Sequence, residues 1–345
     1  MTRPRTWALV LVLVLSAMLS GWYGYRMYQR IMVSPFFHGP GVIPIQVPTG
    51  ASMAELLQIL AQQEAATDTA LFRAWSTRRG FLTPRPGNYL LVPGSSLNDL
   101  VLKLRSGEQD PVRLTLHGAR NMEEVAAKVA KVLEPSEDQL LHAFRDTSLL
   151  LSLELRPEEV QLVFLPNTYE FWWNVSAEGF LRRMVREHRS FWTEERSLRA
   201  DSLGLTPFEV GVLASIVEAE TNMPEDAPIV AGVYLNRLRI DMPLQADPTL
   251  KFALRLDSVA RVLDRDKGVV SPYNTYTHRG LPPGPIRIPG PRSIDAVLFA
   301  PRHKFLYFCA KEDLSGYSHF SKSYSEHLQH ARRYQRALNA RRIFR

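Results

Sequence analysis

The sequence predicts an α+β protein attached to a single apolar N-terminal helix. Three features point there. A run of 20 residues without formal charge lies between Arg5 and Arg26. Short strand-like stretches with Pro-Gly turns then alternate with amphipathic helical stretches. Longer helices follow, separated by loops rich in Pro, Tyr, Thr and Asn. The chain has 345 residues, enough for two domains or more. With 45% hydrophobic and 22% charged residues it has the composition of a folded protein, not a disordered one. The net charge of +7 suits a polyanion or a membrane surface without requiring either. The single cysteine, Cys309, cannot form an internal disulfide and is expected as a small buried hydrophobe.

At 1.5 Å rise per residue, a stretch of about 20 apolar residues crosses a hydrocarbon core of roughly 30 Å. Arg3 and Arg5 precede the run, which predicts a cytoplasmic N-terminus. Trp22, Tyr23 and Tyr25 would form an aromatic belt at the far interface. A cleaved signal peptide is the competing reading. The length of the run and its aromatic exit favour an uncleaved anchor. Either way the bulk of the chain lies beyond the membrane, and a nucleic-acid partner is not expected.

"VSPFFHGPG" has the composition of a linker. Then "IPIQVPTG" predicts a strand and turn, and "ASMAELLQILAQQEAA" a helix. "DTALFRAWSTRRG" predicts a second helix ending at Gly80, and "RPGNYLLVPGSSLNDLVLKLRSG" a strand, a Ser cap and a helix closed by Gly107. Strand–helix–helix–strand of this size resembles the LysM module, which binds amino-sugar polymers; a spacer domain without a binding role is the alternative. "VRLTLHGAR" predicts a strand leading into the helix "NMEEVAAKVAKVL". "PSEDQLLHAFRD" and residues 176–204 are helical by period, and "VFLPNTYEFWWNV" is strand-like. Helices are expected over 206–222 and 228–239. The C-terminal "ARRYQRALNARRIFR" predicts a solvated basic helix face.

The stretch "ASIVEAET" sets two carboxylates inside an apolar helix. At about 100° per residue, Glu220 falls roughly 35° from the mean apolar direction of the helix and Glu218 roughly 125° from it. Glu220 therefore continues the stripe of Leu213, Ile216 and Val217, and Glu218 points to the polar flank. A carboxyl on an apolar face is held protonated by desolvation, as a general acid for glycosidic cleavage must be. A structural ion pair with Arg237 or Arg239, or simple exposure at a helix end, would also account for it. The loops carrying Gln245, Asp247, Thr249, Tyr273, Asn274 and Tyr276 supply the aromatic and amide groups that a sugar polymer needs. Asp247 is a possible second carboxylate, although "QADPT" is an Asp-Pro turn whose side chain often caps backbone. No metal-ligand spacing or G-x-S-x-G elbow is present, so neither a metal nor a cofactor is expected. Ser215 is expected to pack, not to attack.

"ASIVEAET", "VYLNRLRIDMPLQADPTLKFAL", "SPYNTYTHRGLPPGPIRIPG", "HFSKSYSEH" and the upstream "FLPNTYEFWWNV" resemble the bacterial endolytic murein transglycosylases of the MltG (YceG-like) family. The likeness covers roughly residues 40–335. It implies cleavage of the β-1,4 bond between N-acetylmuramic acid and N-acetylglucosamine in nascent peptidoglycan glycan strands, leaving 1,6-anhydro ends. Glu220, the glutamate followed by Thr221, is implied as catalytic, with Glu218 and the loop residues above as substrate-binding. Two positions depart from the family pattern: Ala219 stands where lysine is frequent and Asn167 where aspartate is frequent. The resemblance further implies a single-pass inner-membrane protein with a periplasmic catalytic domain, working near penicillin-binding proteins of the wall-synthesis complex. The expected organisation is a cytoplasmic tip and anchor (1–28), a linker (29–42), a LysM-like module (43–111) and a catalytic domain (112–345). Within the last, a helical insertion (about 121–205) precedes a core (about 206–335) with a lysozyme-like helical acid site. A lysozyme-type hydrolase and a non-catalytic, membrane-anchored glycan-binding scaffold are the rival readings.

Overall fold

The computed structural model describes residues 3–37, 41–62, 68–255 and 264–341. Its first helix, α1 (Arg3–Tyr28), runs into a π-helical turn over Gln29–Val33. Trp7–Val33 is the one stretch among the described residues long and apolar enough by itself to cross a membrane. Its large apolar side chains, from Trp7 to Tyr25, are exposed.

By contacts the chain falls into two compact units. The first comprises Met1–Leu114 with Val132–Pro135 and Glu170–Val175. Strand β1 (Ile43–Val47) is followed by helices α2 (Met53–Gln62) and α3 (Thr69–Arg78), strand β2 (Gly87–Leu91) and helix α4 (Leu97–Ser106). β1 and β2 pair antiparallel, with Ile45 opposite Tyr89. Alternation turns Ile45, Val47, Tyr89 and Leu91 inward, onto Leu56, Leu60, Phe72 and Leu100 from the helices. Ser96 and Asp99 form a reciprocal capping box on α4, and Gly107 closes it at φ 74°.

The expected linker is partly a packed segment. Ile31, Phe36 and Phe37 are buried in the same core, and the Phe36 N–H donates to Ser95 O. Two adjacent phenylalanines bury too much apolar surface to remain a free tether. Residues 38–40 of that stretch lie outside the described residues.

The second unit comprises Thr115–Lys131, Ser136–Tyr169 and Ser176–Arg345. Strands β3 (Val112–Thr115) and β4 (Thr168–Phe171) form a two-stranded sheet, of which Val112–Leu114 and Glu170–Phe171 are counted with the first unit. Helices α5 (Met122–Ala130), α6 (Glu137–Arg145) and α7 (Thr147–Ser152) and a 3₁₀ turn over Pro157–Val163 precede β4. The stretch 176–204, expected to be helical throughout, is two helices, α8 (Ala177–Phe191) and α9 (Glu194–Leu203). Thr193 breaks it, its hydroxyl accepting the Arg196 N–H as a new N-cap.

Helix α10 (Pro207–Glu220) starts with Pro207 in its first turn and a Thr206–Glu209 capping box. Val210–Val217 are all buried, so the helix is apolar on every side and not along one stripe. It packs against α9, α11 (Ala227–Arg239), α12 (Asp247–Ala253) and α13 (Pro291–Leu298). Strands β5 (Tyr307–Ala310) and β6 (Ser318–Ser321) form an antiparallel hairpin, and α14 (Tyr324–Ala340) packs on both. α14 has no buried residue. The last four residues of the basic tail lie outside the described residues. Cys309, on β5, is a free thiol and only half-buried.

Ser215 is a structural pin. Its hydroxyl donates to Val212 O at 2.7 Å and accepts the Ile286 N–H at 3.1 Å, tying the Pro-rich loop to α10. Ser215→Ala leaves that N–H without its partner. The expected loss is about 1–3 kcal/mol of stability, measured by denaturant unfolding.

Candidate active site

The end of α10 places the two glutamates. Thr221 leaves the helix with extended dihedrals, and its hydroxyl accepts the Met223 N–H at 3.0 Å. Glu220 is therefore the last helical residue. Glu218 and Glu220 diverge as the wheel predicts, but both are partly buried because the helix is surrounded.

Glu218 faces polar partners, as expected. Its Oε2 accepts the Gly290 N–H at 2.5 Å, and its Oε1 lies 3.5 Å from Arg287. This carboxylate holds the start of α13. It lines a cavity of about 920 Å³ together with Thr221, Asn222, Arg287 and Pro291. Glu220 is absent from that cavity.

Glu220 opens instead onto a smaller cavity of about 310 Å³. Its Oε1 accepts the Tyr234 hydroxyl at 2.7 Å. Among the described residues no lysine or arginine nitrogen lies within 4 Å of it, so the structural ion pair with Arg237 or Arg239 is not formed. The Arg237 guanidinium is committed elsewhere, donating to Leu306 O at 2.7 Å and Leu244 O at 2.6 Å. Arg239 donates to Asn236. Burial pushes the Glu220 carboxyl up to about 7. The Asp247 charge adds to that rise; the Tyr234 hydrogen bond and the charges of Lys251 and Arg237 oppose it. Burial also raises the Tyr234 and Tyr276 phenols, so both remain protonated donors.

The cavity also gathers Gln245, Asp247 and Tyr276 from the loops. Asp247, the first residue of α12, accepts the Tyr276 hydroxyl at 2.5 Å. Its side chain pairs across the cavity and does not cap backbone. Gln245 sits at φ 50°, a left-handed conformation costing about 1 kcal/mol for a residue with a side chain. Its N–H donates to Thr275 O.

Three expected contacts are placed elsewhere. Thr249 is fully buried, its hydroxyl bonded to Ala246 O and Thr275 Oγ1. Asn274 is also fully buried; its amide donates to Lys267 O and Val269 O, and its Oδ1 accepts the Tyr276 N–H. Both shape the loops that present Gln245 and Tyr276. Tyr273 packs on Phe252 at 4.7 Å between ring centroids, outside the cavity.

Sequence reasoning missed Tyr234, Tyr307 and Phe308, which also line it, and quoted the stretch "HFSKSYSEH" without singling out its Tyr324 and His327, which line it too. The available signal was spacing. Tyr234 and Arg237, and likewise Tyr324 and His327, stand three apart, on one face of a helix. Among the described residues no three His, Cys, Asp or Glu side chains are grouped to hold a metal ion.

The arrangement can deliver a proton at neutral pH from a buried carboxyl and surround a polyhydroxylated ligand with phenols and an amide. Residues 45–333 match the YceG-like family model. The chain is 28% identical over 311 residues to the endolytic murein transglycosylase of Bacillus subtilis, strain 168, covering 85% of this chain and 84% of that one. It is 25% identical over 330 residues to the endolytic murein transglycosylase of Streptococcus pneumoniae serotype 2, strain D39, covering 86% of this chain and 60% of the relative. The crystal structure of a yceG-like protein from Listeria monocytogenes aligns with a TM-score of 0.57 at 26% identity, over 84% of this chain and 99% of that one. With the family model spanning most of its length, this chain belongs to the YceG-like family.

Proposed function

We propose that this protein is an endolytic peptidoglycan transglycosylase. It cuts the β-1,4 bond between N-acetylmuramic acid and N-acetylglucosamine inside a glycan strand and leaves a 1,6-anhydro end. The observation that carries this reading is the Glu220 carboxyl, pushed up to about 7 at the edge of a cavity lined by tyrosines and an amide. The names of the relatives support the same reading.

In the mechanism, protonated Glu220 donates to the glycosidic oxygen as the bond to C1 breaks through an oxocarbenium-like state. The carboxylate left behind takes the proton of the sugar's own 6-hydroxyl, whose oxygen closes on C1. The nucleophile is intramolecular, so proximity supplies much of the rate. One carboxyl thus acts as acid and then as base. Tyr234 donates to it in the ionised stage, and Gln245 and Tyr276 orient the sugars.

A lysozyme-type hydrolase is the second reading, favoured by one observation: Asp247 shares the cavity and could activate water. Product mass separates the two. Incubating the protein with uncrosslinked glycan strands is expected to give fragments lighter than hydrolysis products by one water, about 18 Da. Fragments carrying free reducing ends would overturn the transglycosylase assignment.

The rest of the organisation follows from this reading. α1 anchors the chain in the inner membrane in a single pass, with Arg3 and Arg5 on the cytoplasmic side and the catalytic unit in the periplasm. The β1–α2–α3–β2 order supports a LysM-like module, and the buried helix bearing Glu220 supports a lysozyme-like acid site. Cutting nascent strands would bring the protein to the synthesis machinery and its penicillin-binding proteins.

A further inference from the structure

The cavity wall opposite the loops of Gln245 and Asp247 has an organisation of its own. Tyr307, at the start of β5, and Tyr324 and His327, in the first turns of α14, form a contiguous aromatic group. The Tyr307 and His327 rings stack at 5.5 Å with 24° between planes. Tyr324 lies 5.7 Å from Tyr307 and 6.1 Å from His327. The Arg237 guanidinium also packs over the Tyr307 ring, 5.3 Å from its centroid. Arg237 is itself fixed by Leu244 O and Leu306 O, so the stack has a rigid base.

Two details mark this group as more than packing. Tyr324 is 59% exposed at the rim of the cavity, although a ring of that size gains from cover. His327 Nδ1 is buried without a hydrogen-bond partner among the described residues, and the ring stacks on Tyr307. Burial and the charges of Arg237 and His330 keep that imidazole neutral. The Tyr324 ring is tilted by 50° to Tyr307 and 31° to His327, so an aromatic surface lines the same cavity as the acid.

We propose that Tyr324, backed by Tyr307 and His327, is a sugar-stacking position that receives the C–H face of a pyranose ring of the glycan strand beside Glu220. The ring faces of aromatic side chains are electron-rich and apolar, and the axial C–H groups of a hexosamine complement them; phosphates and other anions gain nothing from such a surface. The inference rests on the glycan-cleaving reading of the cavity and adds residues that the sequence pattern did not select.

The test separates binding from cleavage. Full-length protein in detergent, carrying Glu220→Gln so that no strand is cut, is titrated calorimetrically with peptide-free glycan strands. Adding Tyr324→Ala is expected to weaken binding about tenfold, the scale of one aromatic contact, while Tyr324→Phe stays within about twofold. His327→Ala, which removes the support, is expected to weaken binding in the same direction. Melting temperatures measured alongside exclude loss of fold. If Tyr324→Ala binds strands as tightly as its Glu220→Gln parent, the stacking position is overturned, as it is if the parent binds no strand. Cleavage by the unmutated protein is assayed separately. Failure there with a Tyr324-dependent affinity intact sinks the catalytic reading and leaves the sugar position standing.

Discussion

Glu220→Gln is expected to abolish glycan cleavage, lowering kcat by about a thousandfold or more with the fold intact. A positioned general acid contributes roughly 10²- to 10⁴-fold, and here the same group must also serve as the base. The glutamine amide keeps the shape and can still accept the Tyr234 hydroxyl, so binding survives and chemistry does not. Glu218→Gln is the control. That side chain reaches Gly290 and Arg287 on the other flank of α10 and has no access to the Glu220 cavity. Its loss should cost about tenfold or less, through a loosened α13. Mass analysis of strand products from both variants decides the assignment. A large loss in Glu218→Gln with activity retained in Glu220→Gln would mean that the larger cavity, not the smaller, is where bonds break.

The second large effect is on pH. The first step needs protonated Glu220, so kcat/KM should fall about tenfold per unit above a pH near 7, where the carboxyl ionises. The neighbours give the direction of each shift. Tyr234→Phe removes a donor that favours the charged form and should move the falling limb to higher pH. Asp247→Asn removes a charge that disfavours it and should move the limb lower. Stability is linked to the same group. The folded protein raises this pKa above its ordinary value of 4.5, so the protonated carboxyl contributes stability that is present below pH 4.5 and lost as pH rises through about 7. Glu220→Gln should therefore be more stable than the unmutated protein at pH 8, by up to about 3 kcal/mol, and equal to it near pH 4.5. Thermal melts across that range measure the difference. No gap at pH 8 would mean that Glu220 is solvated like a surface carboxylate.

Local patterns were legible wherever one element decides its own shape. The Ser96 cap and Gly107 stop of α4, the period-2 strands β1 and β2, and the divergence of Glu218 from Glu220 all follow from spacing. Elements that depend on distant partners were not. α13 follows a Gly-Pro stretch that reads as a breaker, yet Gly290 is its N-cap and Pro291 its first residue, where proline is tolerated. The β5–β6 hairpin pairs an apolar stretch, "FLYFCA", with the polar "SHFS", and neither alone reveals the partner. At the site, Glu220 was found because a carboxyl on an apolar face is costly, and Gln245, Asp247 and Tyr276 because their loops carry the polar and aromatic groups that a sugar polymer needs. Thr249 and Asn274 were chosen for the same chemistry but satisfy it within their own loops, a distinction that needs burial and partners. Tyr324 and His327 share one face of α14, but their meeting with Tyr307 on β5 is a long-range contact that no local pattern reveals.

The Thr221 turn has a consequence for acid strength. Because the helix stops there, Glu220 occupies the negative pole of α10, beside carbonyls that no further turn can engage. Backbone polarity therefore opposes ionisation of the carboxyl from below, as exclusion of water does from the side. Because the helix end belongs to α10 and not to the loops, this contribution to the acid's proton affinity persists when a loop residue such as Asp247 changes and shifts the remainder.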